Sequence, residues 1–253
     1  MQQVKTGVPG LDEVLDGGLV KNAAVLVSGN PGTGKSILCQ QFVYNGVEQF
    51  DEDGLYLSFE ETRDDIQEAA ESVGLEHWGE YVEEGHIKVY DKRDLLQEAD
   101  FSSTLDTVLS DLTEDRYSRI VVDSLTMFQM FFDDDTERRR YLLKLIDILK
   151  ENDLTSLLTH EQSALFPRTD IGLENFLTDG NIYLGQTPTR GTRNRFVWVA
   201  KMRKQATKSD LFPLEITDAG IEVHPDAADL FGLNNDPMGM GGGGGGAPDD
   251  FDF

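Results

Sequence analysis

Residues Gly29 to Ser36 read GNPGTGKS. This is a glycine, four residues and then Gly-Lys-Ser, following the apolar run AAVLVSG (23–29) and opening the amphipathic stretch KSILCQQFVYN. A strand, a glycine-rich turn and a helix in that order make a phosphate-binding loop of the Walker A type. Glycines let backbone N–H groups curl around phosphate oxygens, and the first amides of the helix favour negative charge. Gly29, Asn30, Pro31, Gly32, Thr33, Gly34, Lys35, Ser36 and Ile37 are therefore the candidate nucleotide-binding segment. Lys35 is suited to reach the terminal phosphates and the Ser36 hydroxyl to ligate Mg²⁺.

Working outward, RIVVDSL (119–125) ends an apolar run on Asp123, where a Walker B carboxylate holding magnesium opposite Ser36 belongs. GLYLSFEE (54–61) ends another on Glu60 and Glu61. A carboxylate there can orient an attacking water, although two adjacent glutamates also read as solvated surface. HIKVYD (86–91) and LTSLLTHE (154–161) complete a set of short apolar runs separated by amphipathic stretches. In ERRRYLLKLIDILKEN, Leu142, Leu145, Ile146 and Leu149 recur at helical steps behind Asp133, Asp134 and Asp135. The alternation predicts an α/β fold with a mostly parallel central sheet flanked by helices. Beyond about residue 180, GNIYLG, RFVWVAKMR, FPLEIT and GIEVH follow without helices between them and predict a C-terminal antiparallel extension.

The 253 residues carry 47 Asp plus Glu against 22 Lys plus Arg, a formal charge of -25, while 39% are hydrophobic. A folded chain with an acidic coat fits high salt, where the Debye length falls to about 3 Å at 1 M. It also fits an acidic docking surface, and in either case the global field disfavours nonspecific nucleic acid binding. The lone Cys39 has no disulfide partner, the start MQQVKTGVPG has no apolar signal stretch, and no run suits a membrane span. A cytoplasmic protein with no membrane role is expected. The chain divides into a domain over 1–233 and a disordered, glycine-rich acidic tail over 234–253, whose APDDFDF end has the shape of a peptide that docks on a partner.

Seven cations, Arg190, Arg193, Arg195, Lys201, Arg203, Lys204 and Lys208, lie together with no acid among them. The segment reads either as a solvated face or as one turned toward a polyanion. Lys201 and Arg203 flank Met202 on a strand and so share a face. A cationic pair of that kind, inserted into a neighbouring subunit's site, neutralises charge on a transferred phosphate.

These stretches, with TGVPGLDEVLDGGL, VVDSLT, LLTHEQ, FLTDGNIYL, VAKMR and LEITDAGIEVHP in order, resemble the KaiC-like branch of the RecA superfamily in a single-domain form with a haloarchaeal acid bias. The resemblance covers roughly residues 4 to 226 and implies a RecA-like P-loop core that binds and slowly hydrolyses ATP with Mg²⁺ between subunits of a ring, most simply a hexamer. It implies Glu60 as the residue that activates water and Glu61 as its companion. Asp123 then corresponds to the Walker B aspartate, and Lys201 with Arg203, assisted by Arg195, to the group acting on the adjacent subunit's ATP. Thr159 and Glu161 resemble the family's sensing segment, with His160 read as a packed core residue. Lys204 stands where the family usually has glycine, and the clock proteins that name the family carry two such domains. An oligomeric regulatory or signalling switch is the expected role. The alternative is a recombination accessory ATPase that binds single-stranded DNA, for which the cation-poor MFQMFFDDDTE and QSALFPRTDIGLEN are unsuited.

Overall fold

The computed structural model describes residues 2–96, 116–132, 134–165, 168–189 and 192–227. The expected tail over 234–253, the boundary at 233, Asp133 and Arg190 lie outside the described residues.

The apolar runs are strands. After a small antiparallel pair, β1 (Gln3–Val4) and β2 (Leu19–Val20), that brackets helix α1 (Leu11–Val14), five strands run parallel. These are β3 (Ala24–Gly29), β4 (Asp53–Ser58), β5 (Ile87–Tyr90), β6 (Tyr117–Asp123) and β7 (Thr155–Glu161), in the spatial order β3-β7-β6-β4-β5. Both faces of this sheet are covered, which is why its strands are apolar at consecutive positions instead of alternate ones. In β3, Val25 and Val27 face the side of α2 (Lys35–Phe50), α3 (Arg63–Ser72) and α4 (Trp78–Glu83), packing with Leu38, Phe42, Ile66 and Trp78. Ala24 and Leu26 face the other side, with Phe128 of α6 (Leu125–Gln129) and Leu142, Leu145, Ile146 and Leu149 of α7 (Asp135–Glu151). The helical stripe read in the sequence is thus the buried face of α7. A short α5 (Lys92–Leu96) follows β5.

The C-terminal extension is antiparallel, and its first strand joins it to the central sheet. Strands β9 (Thr192–Met202), β10 (Phe212–Thr217) and β11 (Gly220–Val223) pair antiparallel at the edge as expected. Strand β8 (Gly180–Thr189), which contains GNIYLG, is antiparallel to β9 on one side and parallel to β3 on the other, with Val25 beside Gly180 and Gly29 beside Leu184. The reason is a crossover: the segment after β7 contains helix α8 (Leu173–Leu177), which returns the chain to the start of the sheet. Asp179 closes that return, its N–H donating to Ala24 O at 2.8 Å and its carboxylate accepting from Ala24 N at 3.1 Å.

Parallel registry decides where chemistry gathers. Ser58 lies beside Asp123 and Gly29 beside Glu161, so β3, β4, β6 and β7 all finish on the carboxyl edge of the sheet. Among the described residues no helix is long and apolar enough to cross a membrane.

Candidate nucleotide site

The loop from Gly29 to Ser36 is shaped by what its glycines permit. A Cβ on Gly29 would stand 2.3 Å from Leu184 O and 2.8 Å from Thr33 Oγ1, so only glycine lets the loop leave β3 against β8. Gly32, at φ 78°, has no atom of the described residues within 4 Å of where a Cβ would be, so this bend of the loop is open on that side among them. Thr33 Oγ1 donates to Asn30 O at 2.8 Å, and Asn30 Nδ2 donates to Gln162 O and Ala164 O at 2.7 and 3.0 Å, tying the loop to the segment after β7. Lys35 is 9% exposed, and its ammonium reaches back to donate to Gly29 O at 3.0 Å and Asn30 O at 3.3 Å. Burial lowers its pKa, against the opposing pull of Glu161, Asp123 and Glu60. Helix α2 begins with no side-chain cap at Gly34, which leaves its first-turn amides, at Lys35, Ser36 and Ile37, for an anion. Pro31 has no N–H and shapes the turn without donating.

Two hydroxyls hold the Asp123 carboxylate. Thr159 Oγ1 donates to Oδ1 at 2.5 Å from β7, and Tyr56 OH donates to Oδ2 at 2.7 Å from β4. Burial, and then the Asp123 charge, push the Tyr56 phenol well up, so it stays a donor. Next to Asp123, Ser124 Oγ donates to Glu60 Oε1 at 2.5 Å and accepts from Met127 N at 3.2 Å. The glutamate backbone is held separately. Ser58 Oγ accepts from Glu61 N at 3.0 Å, and Lys92 Nζ donates to Glu60 O at 2.9 Å. Asp91, buried at the end of β5, accepts from Arg63 N, Arg93 N and the Arg93 guanidinium at 2.8 to 2.9 Å. Burial opposes its charge, yet those hydrogen bonds hold its pKa down to about 2. Glu61 is half-buried, and burial together with Asp123 raises its pKa, whereas the Glu60 side chain is exposed.

The described cations of the basic segment disperse, the Arg190 and Arg193 side chains lying outside what the structure describes. Arg195 Nε donates to Gly32 O at 3.3 Å, on the chain's own loop. Simple alternation would put Lys201 on the same face as Arg195, but the register of β9 shifts between Asn181 and Ile182, a bulge that turns Lys201 over. Val197 and Val199 pack on the α2 side, whereas Lys201 and Arg203 face α8. Lys201 Nζ donates to Asn175 O at 2.8 Å and Thr178 O at 2.6 Å, and Arg203 Nη2 donates to Phe176 O at 2.9 Å. This pair stands near the start of β8, with Lys201 beside Asn181, away from the loop end where Gln186 faces Arg195. Lys208 pairs with Glu13 at 2.7 Å. Lys204 adopts φ 65°, the left-handed conformation a glycine would take, so the departure from the family pattern leaves the turn after β9 in place.

A model of the KaiC ATPase family matches residues 4–228. The chain belongs to the KaiC ATPase family. It is 30% identical over 230 residues to the circadian clock oscillator protein KaiC of Synechococcus elongatus, a match that spans 88% of this chain and 44% of that protein. The chain thus spans about half the length of the clock relatives it matches. It is 32% identical over 244 residues to UPF0273 protein MK0039 of Methanopyrus kandleri, covering 89% of this chain and 93% of the relative. The crystal structure of the KaiC-like protein PH0186 from Pyrococcus horikoshii superposes with a TM-score of 0.79 at 31% identity, over 88% of this chain and 99% of that one.

In this KaiC-family chain several supporting groups were not read from the sequence. Tyr56 is an inward residue of an apolar run, and only the adjacency of β4 to β6 shows that its hydroxyl meets Asp123. Ser124 and Lys92 have ordinary loop and helix-start signatures. Asp91, in HIKVYD, ends an apolar run as Asp123 does, and that shared pattern is its signal in the sequence.

Proposed function

We propose that this KaiC-family ATPase domain binds ATP with Mg²⁺, hydrolyses it slowly, and acts as an oligomeric regulatory switch. The observation that supports this most is the convergence of Lys35, Asp123 and Glu60 at one edge, with Asp123 held by Tyr56 and Thr159 and Glu60 held by Ser124. The loop amides and Lys35 bind the phosphates. Ser36 and Asp123 are the residues that would hold Mg²⁺, and the donor set fits a hard cation bound through few protein oxygens, phosphate and water. When bound, Mg²⁺ supplies neutralisation of phosphate charge. Glu60, with Glu61 beside it, takes the proton of a water whose oxygen bonds to the γ-phosphorus as the bond to the bridging oxygen breaks and ADP leaves with that electron pair.

Lys201 and Arg203 are assigned to the ATP of an adjacent copy, with Arg195 completing the chain's own loop. What supports this is their orientation: Lys201 donates to α8-segment carbonyls, and the Arg203 side chain is 49% exposed beside Asp179. A ring, most simply a hexamer, places one copy's loop against the next copy's pair. The dispersal of Arg195, Lys201, Arg203 and Lys208 counts against the DNA-binding alternative, because these described cations form no contiguous basic stripe. The charge of -25 supports a haloarchaeal, high-salt setting.

Purified protein with Mg²⁺ and ATP in molar KCl is expected to release phosphate, and Lys35→Ala to abolish release. A wild type that binds no ATP, or never turns it over, overturns the reading.

A further inference from the structure

One buried carboxylate outside the nucleotide site connects it to the cationic pair. Glu174, on α8, is 6% exposed in its side chain and, among the described residues, has no lysine or arginine partner. Its Oε1 lies 3.4 Å from His160 Nε2, and its Oε2 accepts from Gln129 Nε2 at 3.4 Å. Both neighbours are extensions of the Asp123 environment. His160 directly follows Thr159, whose hydroxyl holds Asp123, and Gln129 ends α6, the helix that Ser124 caps. On its other side, the carbonyls following Glu174 in the chain, at Asn175, Phe176 and Thr178, are those that hold Lys201 and Arg203.

We infer that Glu174 is a positioning residue that ties the arrangement around Asp123 in one copy to the placement of Lys201 and Arg203, the groups offered to the next copy. This rests on the proposed ATPase reading and deepens it. A shift of β7 or α6 on nucleotide binding pulls on Glu174 through His160 or Gln129, and a helix as short as α8 moves its carbonyls with it. The cations then advance or retract as a pair, so that occupancy of one site sets the competence of its neighbour. His160, read from the sequence as a packed residue, is in this arrangement partly buried and also a contact of the link.

Trp198 reports the link, since it lines the same cavity of about 400 Å³ as Phe176, Lys201 and Arg203. The chain has two tryptophans, so 5-fluorotryptophan labelling of the full chain gives two fluorine resonances, and Trp198→Phe assigns them. In the wild type, Mg²⁺ and ATP are expected to move the Trp198 resonance. In Glu174→Ala, ATP should bind with unchanged affinity by calorimetry, the Trp198 shift should be lost, and kcat should fall about tenfold with KM unchanged, as misplacement of a charge-stabilising group does. Glu174→Gln, which keeps the shape and an acceptor, should restore most of both. His160→Asn leaves Glu174 in place and carries the same expectation at smaller amplitude, so a folding failure of Glu174→Ala still leaves a decision. An unmoved Trp198 in ATP-bound wild type, or variants with wild-type shift and kcat, overturns the inference while leaving the ATPase reading intact. Failure of the wild type to bind ATP overturns both.

Discussion

Glu60 and Asp91 illustrate two ways a carboxylate is held near the loop. Glu60 has an exposed side chain with one short hydrogen bond from Ser124, so it is oriented without being withdrawn from water. Glu60→Gln keeps the shape and the Ser124 partner but cannot take a proton. Phosphate release is expected to fall by roughly 10²- to 10⁴-fold, with ATP binding by calorimetry unchanged. Asp91 is a framework residue, gathering the start of α3 and of α5 around the segment that carries both glutamates. Its folded-state pKa of about 2 lies below the ordinary carboxylate value, so its stabilisation is complete above about pH 4 and is lost as pH falls from there toward 2. Asp91→Asn should cost about 2 kcal/mol near pH 7, by the size of that depression, and the difference from wild type should shrink in denaturant titrations repeated down to pH 2.

Among the elements, β6 shows why an apolar run is an incomplete description. Arg119 sits inside it, fully buried, with Nη1 donating to Phe42 O at 2.8 Å, Nη2 2.6 Å from the Glu52 carboxylate, and its guanidinium 4.7 Å from the Phe42 ring centroid. It fastens the C-terminal half of α2 to the strand that ends on Asp123. Burial lowers its pKa against the pull of Glu52, though not enough to discharge a guanidinium. Arg119→Ala removes a buried charge together with the packing of its stem, and should destabilise the fold by about 3 kcal/mol in urea titrations, with an unchanged m-value. The bulge in β9 makes a similar point. Strict alternation from Arg195 places it with Lys201, and a register shift beside β8 sends them to opposite faces. Register belongs to a pair of strands, so one strand's residues do not reveal it.

For the whole molecule, the acid excess bears on stability and assembly together. At -25, compact folding gathers like charges whose repulsion acts over a Debye length of about 10 Å at 0.1 M salt and about 3 Å at 1 M. The midpoint of thermal unfolding is therefore expected to rise by several degrees between 0.1 and 2 M KCl, measured by calorimetry. Light scattering should show ATP favouring the assembled form most strongly at high salt, where repulsion between acidic copies is screened.

Much of the site was legible because its chemistry is local. The loop's spacing, the acid at the end of an apolar run and the strand-helix alternation are patterns over a few residues, and the structure places Asp123 and Glu60 within electrostatic reach of Lys35. The same local patterns named the strands and the buried face of α7. What only the tertiary structure decided depends on which strands lie side by side. The parallel course of β8 beside β3, the clasp of Tyr56 and Thr159 on Asp123, the separation of Arg195 from Lys201 and Arg203, and the seat of Glu174 against His160 and Gln129 all require distant segments in registry. Side-chain type and spacing specify what each group is able to do. Which groups meet is settled by crossovers and register shifts, whose energies are summed over the packed sheet and are carried by no single stretch of chain.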